Sequence, residues 1–258
     1  MGARGDRRRA RRHLALRRLG SAVLALALVG AVVLGSAGLG YRFGVWGLGT
    51  AFAILKVSVY VAIGIFVIAA VSLALGLRGR SWTGVACAVL ALLVAAGTAA
   101  EPLDMRRTAG SLPYIHDVTT DTERPPEFTA LRAVRERSPN GAAYGGPEVA
   151  AQQKQGYPDI VPVLLPMPPD RALARAEAAA RALGWEIVAT APAEGRVEAT
   201  ATTRWFGFKD DIVVRVTPAP GGSQVDIRSV SRVGRSDLGA NARRIRAFLA
   251  ALRRGAQS

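Results

Sequence analysis

The chain has 258 residues, half of them hydrophobic, and a formal net charge of +15. Its one cysteine, Cys87, excludes an intrachain disulfide and a cysteine-based zinc site. Residues 1–100 hold twelve Lys or Arg against one acid, and residues 101–258 hold twenty-two against eighteen. The positive excess therefore sits beside apolar segments, where it reports topology and anionic lipid; without aromatic-basic interleaving or a groove-reading motif it argues against nucleic acid as a partner.

Residues 1–18 read as a basic cytoplasmic tail containing Arg4, Arg7, Arg8, Arg9, Arg11, Arg12, Arg17 and Arg18. Residues 19–40 then run without a charge. At about 1.5 Å per residue such a run crosses a hydrocarbon core of roughly 30 Å. A cleaved signal peptide is the rival reading, but the run exceeds a signal h-region and two more apolar segments follow. The second span is expected at 57–77, with Lys56 snorkelling at its start. Residues 41–55, with Phe43, Trp46 and Phe52, read as an interfacial or re-entrant turn, or as an earlier start of the second helix. The third span is expected at 81–100, after the short Arg78-Gly79-Arg80 loop, which forces an antiparallel hairpin.

Both basic clusters belong on the cytoplasmic side. Three spans then place the C-terminal domain across the membrane: in the periplasm, for an inner-membrane protein. Gly30, Gly35, Gly38, Gly40, Gly64, Gly84 and Gly97 allow close helix approach, read as packing within the chain in preference to dimerisation. No ionisable residue lies deep in a span, which gives transport or proton relay little support.

Residues 101–169 are dense in proline and are expected to be irregular, docking on the domain that follows. Short helical turns are expected near 128–137 and 148–155, and a short strand within 160–165. The α+β core occupies 170–258. Asp170 is expected to cap a helix with Leu173, Ala176, Ala180 and Leu183 on one face and Gly184 at its stop. Strands are expected at 185–191, 196–203, 212–217 and 224–230, with turns at 192–195 and 218–222. A last helix, capped by Ser236 or Asp237, carries Leu238, Ile245, Phe248, Leu249 and Leu252 and ends at Gly255. The expected fold is a three-helix transmembrane region followed by an α+β domain: a four-stranded antiparallel meander sheet with two helices packed on one face.

The stretch TTRWFGFKDDIVVRV (202–216) and the stretch VDIRSVSRVGRSDLGANARRIRAFL (225–249) resemble the bacterial domain-of-unknown-function family numbered 1499. IHDVTTD (115–121) and YPDI (157–160) resemble its membrane-anchored members. The resemblance covers roughly residues 112–252. It implies an envelope location and a shared compact domain, and carries no activity.

Arg228, Ser231, Arg232, Arg235, Asp237, Asn241 and Arg244 pass from a strand through a turn to a helix N-terminus, a candidate ligand or anion site. The plainer reading has Asp237 capping the helix and the arginines pairing with Asp210, Asp211 and Asp226. Trp205, Phe206 and Phe208, with His116, form a candidate ligand groove; the rings also suit a bilayer interface or a core. Asp210 and Asp211 should point to opposite sheet faces, which disfavours joint catalysis. His116 with Asp117 and Asp121 could contribute to a metal site, but one histidine gives no metal spacing signature, and no nucleophile elbow accompanies Ser229 or Ser231. No cofactor motif is present. The expected partners are the bilayer and an envelope lipid, glycan or protein. A membrane-anchored hydrolase or transferase acting on an anionic envelope substrate is the alternative.

Overall fold

A computed structural model describes residues 2–254, with side chains described from residue 7 onward. Arg4 of the basic block and the expected helix stop at Gly255 lie outside the described side chains and residues. The chain divides into two compact units, residues 1–107 with 205–207, and residues 108–204 with 208–258.

The first unit is built on helices α1 (Gly2–Arg42), α2 (Leu48–Arg78) and α3 (Trp82–Ala109). All three are long and apolar enough to cross a membrane, which suggests membrane insertion. The basic block is the first part of α1, and α2 begins at Leu48, so most of 41–55 is helical. Between them, Gly44 adopts φ +71° and Trp46 folds back to donate its indole N–H to the Ala37 carbonyl (3.0 Å). A side chain on Gly40 would collide with that indole. The α2–α3 turn closes with Ser81 N–H donating to Gly76 O and Arg80 N–H to Leu77 O; Arg80 takes the left-handed conformation at φ +55° that usually falls to glycine.

Small residues line the seams. On α2, Ser58, Ala62, Ile65, Ala69, Ser72 and Gly76 are buried at alternating four- and three-residue steps. On α3, Gly84, Ala88, Ala91 and Ala95 repeat the pattern. A Cβ on Gly20 of α1 would stand 2.6 Å from Gly84 O, so α1 and α3 touch backbone to backbone. The helix α3 continues past the expected end at residue 100 and runs through Pro102. Pro102 has no N–H for the Thr98 carbonyl, so α3 forgoes one backbone hydrogen bond there.

The second unit is an antiparallel sheet of β1 (Asp117–Thr119), β2 (Val163–Leu165), β3 (Glu186–Ala191), β4 (Arg196–Thr202), β5 (Lys209–Ala219) and β6 (Gly222–Ser231). Its order is β1-β6-β5-β4-β3, with β2 also pairing with β6. The expected meander of four strands is therefore corrected to six. The four strands of the expected meander are β3–β6, the short strand expected within 160–165 is β2, and β1 is additional; β1 and β2 lie end to end along the free edge of β6 (Asp117↔Val230, Val163↔Val225). Short strands from a proline-rich segment carry little periodic signal, and their pairing is with residues about sixty or more positions away.

Four helices accompany the sheet: α4 (Arg132–Glu136), α5 (Gly146–Gly156), α6 (Pro169–Ala182) and α7 (Ala240–Arg254). Asp170 lies inside the first turn of α6, and Pro168 takes the cap position. Gly184 ends this helix at φ +76°. Helices α6 and α7 cover one face of the sheet. Leu173, Ala176, Ile245, Phe248, Leu249 and Leu252 meet Val197, Ala199, Ile212, Val214, Val225 and Ile227 there. Trp185 stacks on Phe248, their ring centroids 5.5 Å apart. Val213 and Val230 point through the opposite face onto Phe128 and Leu131. That face is also buried, under the proline-rich segment.

Candidate functional site

The alternation of β4, β5 and β6 sends each neighbouring pair of polar residues to different faces. Two separate polar clusters result.

On the face shared with α7, Asn241 is the hub. It is fully buried. Its amide nitrogen donates to the His116 carbonyl (2.9 Å) and to Ser231 Oγ (3.1 Å), while its amide oxygen accepts from Ser229 Oγ (2.7 Å) and from Arg244. Arg244 also donates to Ser229 Oγ (3.0 Å) and to the Asp210 carboxylate. Asp237 stands before α7 and accepts from Gly239 N–H (2.8 Å) and Asn241 N–H (2.6 Å), a helix cap. Burial, reinforced by nearby Asp210, raises the Asp237 carboxyl above its ordinary value against the pull of those two N–H groups and Arg244.

On the opposite face, Arg228 donates from Nε (3.0 Å) and Nη2 (2.7 Å) to the two oxygens of Asp117, a bidentate pair buried on both sides. The Arg228 guanidinium lies over the Phe128 and Tyr144 rings. Asp211 accepts from Arg135 (3.0 Å), from Arg232 Nε (2.9 Å) and Nη2 (2.8 Å), and from Thr200 Oγ1 (2.8 Å). Burial lowers the Arg135 guanidinium below its ordinary value, and Asp211 opposes that shift. Burial and the nearby Asp117 carboxylate push the Tyr144 phenol up to about 12. Glu198 is wholly buried and accepts the N–H groups of Thr129 (2.8 Å), Ala130 (2.9 Å) and Leu131 (2.8 Å). Arg215 bridges Asp121 (2.9 Å) and Asp226 (3.0 Å).

The structure thus brings together Ser231, Asp237, Asn241 and Arg244 of the expected anion site. It sends Arg228 and Arg232 through the sheet to the other cluster, and leaves Arg235 exposed in the turn. The backbone of His116 belongs to the first cluster: its carbonyl also accepts from Ser231 N–H (3.0 Å). Its half-buried imidazole forms no hydrogen bond with another described residue. Trp205 and Phe206 cluster with the three-helix unit, where the Trp205 indole donates to Gly35 O (2.9 Å) and Phe206 lies 6.2 Å from Tyr41 and 6.1 Å from Phe52, between ring centroids. Phe208 stays with the sheet unit, its N–H donating to Thr203 Oγ1 (2.9 Å). These three rings and His116 are not gathered into one groove within either unit.

Sequence reasoning missed Arg135 and Glu198, and weighed Asp117 and Asp121 only beside His116 as metal ligands, whereas they hold Arg228 and Arg215. Glu198 carries only a weak signal: it shares the polar face of its strand with Thr200 and Thr202, a pattern that reads as facing water, although the proline-rich segment has N–H groups that need acceptors. Among the described residues, no group of three or more His, Cys, Asp or Glu side chains is placed to hold a metal ion. The second unit bears two shallow depressions. One, of about 520 Å³, lies between α6 and the β3 end, lined by Leu173, Ala174, Glu177, Thr190 and Pro192. The other, of about 420 Å³, lies beside α6 and Ala251 of α7. Neither includes His116.

The model of a protein family described as a protein of unknown function (DUF1499) matches residues 117–252. The chain belongs to that family. The match begins at β1, whose Asp117 holds Arg228, and ends at Leu252 in the core face of α7, so it takes in both polar clusters. No curated protein and no solved structure matches the chain.

Proposed function

We propose that the chain is an inner-membrane envelope protein whose periplasmic domain binds a lipid, glycan or protein partner without transforming it. One observation carries the choice of binding over catalysis. The charged groups that a hydrolase would use are already committed inside the fold: Arg228 to Asp117, Arg232 and Arg135 to Asp211, Arg244 to Asp210, and Asp237 to the start of α7. Breaking such pairs to admit a substrate would strand buried charges. The orientation rests on the basic residues of the N-terminal block and of Arg78 and Arg80, which the two intervening spans put on one side, the third span carrying the domain to the other.

Two measurements test the reading. A periplasm-dependent reporter fused after Ser258 is active, and a cytoplasm-dependent one is silent; the reverse result overturns the orientation. Full-length protein, cross-linked in native membranes and purified in detergent, retains a specific lipid, glycan or protein partner. Turnover of a phospholipid or glycan substrate that is lost in Asp237→Asn, with the fold retained, would replace binding by catalysis.

A further inference from the structure

Helix α1 continues beyond its apolar stretch as a basic arm, and Leu16 fastens that arm to the α2–α3 turn. A Cβ on Gly79 would collide with Leu16 Cδ1, and one on Gly84 would stand 2.8 Å from Leu16 O. Arg78 and Arg80 flank Gly79. Arg17 follows Leu16, and Arg12 precedes it by four residues on the same stripe of the helix. Four arginines from two distant segments therefore meet at one end of the three-helix unit, and all four are exposed. No acid occurs from residue 7 to residue 100 to neutralise them. Among the described residues none of the four side chains joins an ion pair, whereas Arg135, Arg228, Arg232 and Arg244 all hold carboxylates. Arg80 also holds φ +55°, a conformation that glycine would take without strain. Beside it, at the start of α3, Trp82 is exposed, an aromatic of the kind that sits at headgroup level. Topology asks only that positive charge lie on one side of a membrane, on any face of the arm. It does not ask that Leu16 bring Arg12 and Arg17 against the Arg78–Arg80 turn.

We propose that this end of the three-helix unit binds a phospholipid whose headgroup carries two phosphates. Arg12 and Arg17 hold one phosphate, Arg78 and Arg80 hold the other, and Trp82 lies along the glycerol. The acyl chains continue over the exposed apolar faces of the helices. Two singly charged lipids would match the same charge, but each would have to be immobilised separately, whereas the second phosphate of one headgroup arrives already tethered. The apolar helices select a lipid over a nucleic acid, which would gain nothing from them. The site needs the helices to lie in a bilayer. It depends neither on their orientation nor on what the second unit binds.

The test is native mass spectrometry of the full chain in a non-ionic detergent, with bisphosphatidylglycerol, phosphatidylglycerol, phosphatidylcholine and a short single-stranded oligonucleotide each added at equal phosphate. Wild type retains bisphosphatidylglycerol about tenfold better than phosphatidylglycerol, and the other two less still. Arg12→Gln combined with Arg17→Gln weakens that binding about tenfold or more, and so does Arg78→Gln combined with Arg80→Gln. Arg7→Gln combined with Arg11→Gln removes the same charge from the face of α1 opposite Leu16 and leaves binding nearly unchanged. Arg80→Gly weakens binding while leaving the melting temperature unchanged or higher, because it relieves the left-handed arginine. An equal loss in the Arg7 and Arg11 pair overturns the proposal, since the attraction would then be diffuse charge. Equal retention of phosphatidylglycerol, tighter binding of the oligonucleotide, or unchanged binding in the Arg12 and Arg17 or the Arg78 and Arg80 pair overturns it as well. None of these outcomes alters the reporter-fusion or cross-linking results for the second unit.

Discussion

Asp210 and Asp211 are consecutive on β5, yet their carboxylates serve opposite faces of one sheet. Asp210 accepts from Arg244 of α7, and Asp211 accepts from Arg135 and Arg232 beneath the proline-rich segment. Each cluster is closed by a cation from outside the sheet, so each fastens a covering layer to it. The first cluster ties the start of α7 to β5 and β6. The second ties residues 120–145 to the other face, which would otherwise present Thr200, Asp211, Val213 and Arg228 to water.

Asp211 should be the more damaging member of its pair to remove. Arg135→Met strands one carboxylate that still holds Arg232, and should cost about 3 kcal/mol. Asp211→Ala leaves both guanidinium groups without their acid and should cost at the upper end of the roughly 3–5 kcal/mol range for broken buried pairs. Denaturant titration of the full chain in detergent, with Trp46, Trp82 and Trp205 replaced by Phe so that fluorescence follows Trp185, gives the order. Equal losses would mean that Arg232 contributes nothing to the cluster.

Glu198 should behave as the cap of the covering segment. Its carboxylate takes three consecutive backbone N–H groups, those of Thr129, Ala130 and Leu131. Glu198→Ala leaves all three without that acceptor; the buried Leu131 donor should cost about 1–3 kcal/mol, while Thr129 and Ala130 are exposed enough to turn to water. Glu198→Gln keeps one oxygen and should lose roughly half as much. Hydrogen exchange at Thr129, Ala130 and Leu131 should quicken in both variants, more in the alanine, ahead of any change at β5.

Acid should act on two carboxylates in opposite directions. Burial raises the Asp121 carboxyl, but the Arg124 N–H, Arg215 and the Glu123 N–H outweigh it, so its folded value lies below the ordinary 3.8. Its contribution is present above 3.8 and is lost as pH falls through the lowered value. Asp237 is raised, so its contribution is present below 3.8 and is lost as pH rises through the folded value. Asp121→Asn should therefore destabilise at neutral pH and have little effect in strong acid. Asp237→Asn should remove the part of the loss that appears as pH rises from 3.8 toward neutrality. Unfolding midpoints across the acid range separate the two.

Glycines of the membrane helices should divide sharply. A methyl on Gly84 would stand 2.8 Å from Leu16 O, against backbone that has no room to give, whereas Gly97, Gly64 and Gly35 have nothing within 4 Å of the added atom. Gly84→Ala should lower the yield and melting temperature of the full chain; Gly97→Ala should leave both unchanged or raise them, since alanine is the better helix former. Equal tolerance at both positions would mean that α1 and α3 do not cross at Gly20 and Gly84.

Hydrophobicity is a property of each residue and its near neighbours, so the amino-acid order by itself determined what depends on it. The three long apolar helices, the alternating strands β3–β6 and the amphipathic α6 and α7 all follow from local sequence pattern. So does the opposite placement of Asp210 and Asp211, because a strand turns each side chain away from the last. The family likeness lay in the same contiguous stretches. The pairing of Arg232 and Arg244 with Asp211 and Asp210 was within reach of the plainer sequence reading, but only tertiary structure decided the partners from further along the chain. Arg228 finds Asp117 across 111 positions, Arg135 finds Asp211 across 76, and Glu198 caps a segment 67–69 residues away. No periodicity records such pairs, because a charge is equally at home facing water or facing a partner, and burial makes the choice. The expected anion site failed to stay in one place for that reason. Its residues are adjacent in the chain, but a sheet that buries both faces divides them between two interiors.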